Sequence, residues 1–138
     1  MNTSTLIRPK QKPSIRDGME SIARALKVEL GQAPDAGIAI LINDRMAVNI
    51  APGPDQQITA FFQIAEANQV SGKVWISALS EAASWGMDGD APRFVVLNRY
   101  LTLLWTTPAR APEDLLARLH EKIAVALALS DLVKNHPA

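Results

Sequence analysis

One continuous stretch, Arg93 to Thr107 (RFVVLNRYLTLLWTT), constrains this chain more than any other. Phe94, Val95, Val96, Tyr100, Thr102, Trp105, Thr106 and Thr107 are β-branched or aromatic, and such side chains fit a pleated, half-buried surface. The stretch is therefore read as strand. It is either one long strand or two shorter ones turning at Asn98-Arg99, where Asn accepts the left-handed backbone of a tight hairpin turn. The hairpin is the preferred version. The remainder of the chain then has to cover an apolar sheet.

Pro112 suits the first position of a final helix, with Glu113 and Asp114 in its first turn placed favourably against the helix dipole. Around Ile123 to Leu129 this helix is apolar on nearly every side, so it is expected either to be sandwiched or to meet a second molecule. At the other end, Ser14 follows Pro13 as an N-cap, Asp17 stands three positions on, and Gly31 and Pro34 supply a stop. Ile15, Met19, Ile22, Leu26 and Leu30 give that first helix one apolar stripe.

Between these ends, Gly37–Asn43 (GIAILIN) reads as an interior strand, and Met46, Val48 and Ile50 alternate as its hairpin partner across Asn43-Asp44. Asp55 is expected to cap a second helix bearing Ile58, Phe61, Phe62 and Ala65, closed by Asn68 to Gly72. Lys73–Leu79 (KVWISAL) is then a third strand, Ser80 to Ala83 one helical turn, and Gly86, Gly89 and Pro92 an irregular passage. The expectation is an α+β fold: a small antiparallel sheet of about four to five strands with N-terminal, middle and C-terminal helices packed on it, in the order α-β-β-α-β-β-β-α. That order resembles the one in roadblock-like and profilin-like regulatory domains, and the resemblance, which no motif accompanies, implies a small platform that often dimerises. Residues 1–13 are read as a flexible basic arm, 14–134 as a single domain and 135–138 as a frayed end.

A chain of 138 residues that is 48% hydrophobic can bury a core without staples, and with no cysteine it has no disulfide or thiolate chemistry. Fourteen basic and fourteen acidic side chains cancel, which removes any global attraction to nucleic acid or to a membrane. The distribution is uneven, however. Arg8, Lys10, Lys12 and Arg16 are the charges of the first sixteen residues, whereas Gln32 to Pro92 holds seven acids against Arg45 and Lys73. The first residues lack the apolar segment of a secretory signal, and no apolar run reaches membrane-spanning length, so a cytoplasmic location without membrane attachment is expected.

Motifs for chemistry are missing. There is no phosphate-binding loop, no HExxH and no GxSxG, and no cofactor is expected. Asp88 and Asp90 form the one close acidic pair in an expected loop, and with His120 they are the residues a metal-dependent enzyme would have to use. A solvated turn explains the pair more simply. Trp85 and Met87, beside glycines, are of the types enriched at protein interfaces. The chain is therefore read as a non-catalytic protein-binding or regulatory module, expected to be a homodimer, with Trp85, Met87, Leu127 and Leu129 as partner-binding residues. The alternative is a nucleic-acid-associated regulator using Arg8, Lys10, Lys12 and Arg16 to contact phosphates.

Overall fold

The computed structural model describes residues 14–32, 36–53, 55–85 and 91–138. Helix α1 (Ile15–Leu26) is followed by strands β1 (Ile38–Ile42), β2 (Met46–Gly53) and β3 (Gln57–Glu66). A 3-10 turn at Ala67–Gln69 leads to α2 (Gly72–Ser84), then β4 (Arg93–Leu97), β5 (Tyr100–Pro108) and α3 (Pro112–Asn135). The five strands form one antiparallel sheet in the order β1-β2-β3-β5-β4.

Helix α1 starts where its capping chemistry directs, with the Asp17 backbone N–H donating to Ser14 Oγ at 3.0 Å. It stops four residues before Gly31, because Lys27 takes the left-handed conformation (φ 57°) and the Val28 N–H returns to the Ala23 carbonyl at 2.9 Å. The hairpin at Asn98-Arg99 forms as expected: Leu97 pairs with Tyr100, and both turn residues have positive φ, 50° and 70°. Pro112 opens α3 with Glu113 and Asp114 in its first turn.

Two central elements differ from the sequence expectation and exchange places. The segment expected to be a helix after Asp55 is β3, and the segment expected to be a strand at Lys73–Leu79 is the first half of α2. In β3 the burial alternates residue by residue, as a strand requires. The strand pairs with β2 on one side and β5 on the other, so its backbone is committed to ladders that no local signal announces. Asp55 and Gln56, both with positive φ, turn the chain from β2 into β3 in place of capping a helix. The cap lies later: Ser71 Oγ accepts from the Val74 N–H at 3.3 Å and starts α2. The order is thus α-β-β-β-α-β-β-α, and the order behind the likeness to roadblock-like and profilin-like domains is not the one this chain has.

All three helices lie against one face of the sheet. Register places Met46, Val48, Ile50, Ile58, Ala60, Phe62, Leu101, Leu103 and Trp105 on that face, all buried. Helix α1 comes close through Gly18, where an added Cβ would lie 2.9 Å from Ile58 Cδ1 and 3.2 Å from Leu115 Cδ2. Helix α3 crosses the centre, with Lys122 Nζ 5.7 Å from the Trp105 ring. Helix α2 reaches the β4 edge, where Trp85 meets Phe94 with ring centroids 5.4 Å apart. On the opposite face, Thr59 and Thr106 share a 3.3 Å hydroxyl contact, and no described helix covers the sheet.

Candidate functional site

The outer side of α2 carries two of the exposed large apolar side chains, Ile76 and Leu79. Val74 and Ala78 turn inward and are buried. On the other side Gly72, Ile76, Leu79 and Ala83 recur at spacings of four, three and four, the period of a helix-pairing seam. Ile76 is 67% and Leu79 63% exposed, where burying either fully would stabilise by about 1.5–3 kcal/mol. Nothing among the described residues demands a glycine at position 72, since an added Cβ would meet none of their atoms within 4 Å. A helix with apolar residues on both sides is what a surface awaiting a further partner looks like.

Beside α2, the edge strand β4 exposes Val96 (53%) on the helix-bearing face, level with Leu101, and Leu97 on the opposite face, level with Tyr100. The Trp85–Phe94 contact ties the two elements together, so the apolar surface extends over both. Between α2 and α3 runs a groove of about 380 Å³, floored by the small residues Ala124 and Ala128 and flanked by Ser77, Val125 and Leu132. The all-round apolar character of α3 divides accordingly. Ala126 and Val133 face the core, Ala124 and Ala128 are exposed along the groove, and Leu129 is buried while also lining it.

Of the partner-binding residues expected from sequence, Trp85 is half-buried at the C-cap of α2 and stacks on Phe94. Leu129, 4% exposed, belongs to the core and also lines the groove between α2 and α3, and Leu127 is half-buried against the core. Met87 lies outside the described residues, as do Arg8, Lys10, Lys12, Asp88 and Asp90. Arg16 sits on α1, its Nε 3.1 Å from Glu20 and its Nη1 donating to the Gly31 carbonyl at 3.0 Å. His120 is exposed on α3, and among the described residues no group of three or more His, Asp or Glu is placed to hold a metal ion. No described helix is long and apolar enough to cross a membrane.

Ile76 and Leu79 were not singled out from sequence, because Lys73–Leu79 alternates well enough to pass for a strand. The usable signal was the four-three-four recurrence of Gly72, Ile76, Leu79 and Ala83 behind the capping serine at position 71.

No family model matches the chain, and no curated protein does. Solved structures do match. A chain of the ExsC–ExsE complex superposes with a TM-score of 0.68 at 12% identity, covering 96% of this chain and 97% of that one. A chain of the complex between the Yersinia pestis type III secretion chaperone SycH and a stable fragment of YscM2 gives 0.62 at 15% identity, over 84% and 99%. A chain of the ExoT–SpcS complex from Pseudomonas aeruginosa gives 0.50 at 12% identity, over 84% and 93%. The chain thus has an α+β fold like that of type III secretion chaperones, and each of these neighbours was solved bound to another protein.

Proposed function

We propose that this chain is a non-catalytic protein-binding protein that works as a homodimer in the cytoplasm and holds a partner protein as a secretion chaperone does. The observation that carries this is the outward apolar stripe of α2. Its residues are self-complementary under a two-fold axis through the middle of the helix. With two copies antiparallel, Gly72 stands opposite Ala83 of the second copy and Ile76 opposite Leu79 of the second copy. Large residues then meet at the centre, and small ones let the helix ends approach. Val96, on the helix-bearing face of the adjoining β4 edge, would widen the contact. The fold likeness to chains solved in protein complexes supports the partner-binding part.

The test is affinity purification of the full chain from lysate of its native host, with and without nuclease, followed by co-expression with whatever protein is retained. A protein that survives nuclease and co-elutes with the chain at fixed stoichiometry is the expected result. Loss of every retained protein on nuclease treatment would overturn the proposal and put nucleic acid, contacted by Arg8, Lys10, Lys12 and Arg16, in its place.

A further inference from the structure

The groove between α2 and α3 has an acidic end and an apolar end. An isolated bridge between Val70 and Pro137 sets the start of α2 beside the end of α3, so α2 runs back along α3 from there. Ser77 therefore faces the later part of the groove, at Leu129 and Leu132, and Glu81, one turn on, stands at the end nearer Ala124. Glu121 precedes Val125 by one turn and continues the same side of α3 past that end. Both acids are exposed. Glu81 makes no ion pair among the described residues, and Glu121 has only a 3.8 Å contact with its neighbour Lys122.

Residues 1–13 lie outside the described residues and join α1 at Ser14. Counted back from Ser14, they offer Lys12, Lys10 and Arg8 first and then Ile7 and Leu6, with no acid among them. The cations thus come before the aliphatic pair, as the two acids come before the apolar part of the groove. An arrangement of this kind pairs opposite charge and covers apolar surface in one register.

The reach is sufficient. Gly18, near the start of α1, lies against Leu115, where an added Cβ would be 3.2 Å from Leu115 Cδ2. Ala124 is nine residues further along α3, a rise of about 13.5 Å, and because α1 and α2 flank α3 the segment has to cross one helix diameter, about 10–12 Å. The direct path is about 17 Å. Six residues of extended chain, the separation of Arg8 from Ser14, span about 20 Å.

We propose that residues 6–8 dock in this groove on the same chain, with Leu6 and Ile7 against Ala124, Ala128 and Leu132 and with Arg8 paired to Glu81. Lys10 then lies near Glu121. Docking covers the groove but leaves the outward stripe of α2 free, since Ile76 and Leu79 are on a different side of that helix from Ser77 and Glu81. It also commits Arg8 to a carboxylate in place of a phosphate.

The chain has no cysteine, so a nitroxide attached to Thr3→Cys reports on this segment alone. In the full isotope-labelled chain the nitroxide is expected to broaden the amide resonances of Glu81, Ala124 and Ala128 and to spare those of β1. Replacing both Leu6 and Ile7 by Asp is expected to remove the broadening. Glu81→Arg is expected to weaken it, and adding Arg8→Glu to recover it. Each variant is checked for an unchanged melting temperature.

The docking is refuted if the nitroxide leaves Glu81, Ala124 and Ala128 unaffected, or if their broadening persists with Asp at both positions 6 and 7. Failure of Arg8→Glu to recover the signal lost in Glu81→Arg would overturn the ion pair. A mixture of nitroxide-bearing chain and isotope-labelled chain without nitroxide separates the two copies, and broadening there would place the segment on a second copy and overturn docking on the same chain. None of these outcomes decides the protein-binding function, which stands or falls on the reconstituted complex.

Discussion

Replacing Ile76 by Ala puts the proposed α2 pairing at risk. In the single chain Ile76 is 67% exposed, so the substitution should change the stability of the isolated fold by no more than about 0.5 kcal/mol. Alanine is also the better helix former, so α2 itself is not weakened. In the pair the situation differs. Full burial of an isoleucine is worth about 1.5–3 kcal/mol, so covering the exposed two-thirds stabilises by about 1–2 kcal/mol per copy. The two-fold axis presents the residue twice, which makes about 2–4 kcal/mol per dimer, or about 30- to 700-fold in the dissociation constant. Alanine keeps one carbon of the side chain and places the expected loss toward the lower end. Sedimentation equilibrium over a dilution series measures it, with urea unfolding at high dilution as the control on the fold. A wild-type chain that stays monomeric through the micromolar range would refute the pairing. So would an Ile76→Ala chain whose dimer constant lies within about threefold of wild type.

Three further expectations concern the fold itself. Trp105 is buried at the centre of the sheet beneath α3, so Trp105→Ala should cost about 3–5 kcal/mol in urea unfolding, and a loss below about 1 kcal/mol would contradict that position. Ser71→Ala removes the cap on the Val74 N–H and should destabilise by about 0.5–2 kcal/mol with a loss of helical circular dichroism. No change in helical signal would argue against a helix starting at Gly72. Arg99 holds a left-handed conformation in the β4–β5 turn, so Arg99→Gly should stabilise by up to about 1 kcal/mol, and a lowered thermal midpoint would contradict the turn geometry.

What the sequence determined by itself was whatever is decided within a few neighbouring residues. The cap at Ser14, the opening of α3 at Pro112 and the reversal at Asn98-Arg99 each depend on a local hydrogen bond or on a backbone conformation that one residue type supplies. The class of fold followed from the same signals. The segments 57–66 and 73–79 take the other period in the structure because each carries apolar residues compatible with both, whereas the helical turn read at Ser80–Ala83 is part of α2. Ile58, Phe61, Phe62 and Ala65 mark a helical face as readily as they alternate, and Val74, Ile76 and Ala78 alternate as readily as they spiral. Tertiary structure resolved the ambiguity, since β3 has ladders on both sides and α2 packs Val74 and Ala78 inward.

The surfaces proposed for binding are hidden for the same reason. That Ile76 and Leu79 face outward follows only once the opposite side of α2 is seated. The groove between α2 and α3 joins segments far apart in the chain, and no single segment encodes it. Hydrophobicity says that a side chain leaves water where it can; which ones find no cover is settled by the packing of all the others.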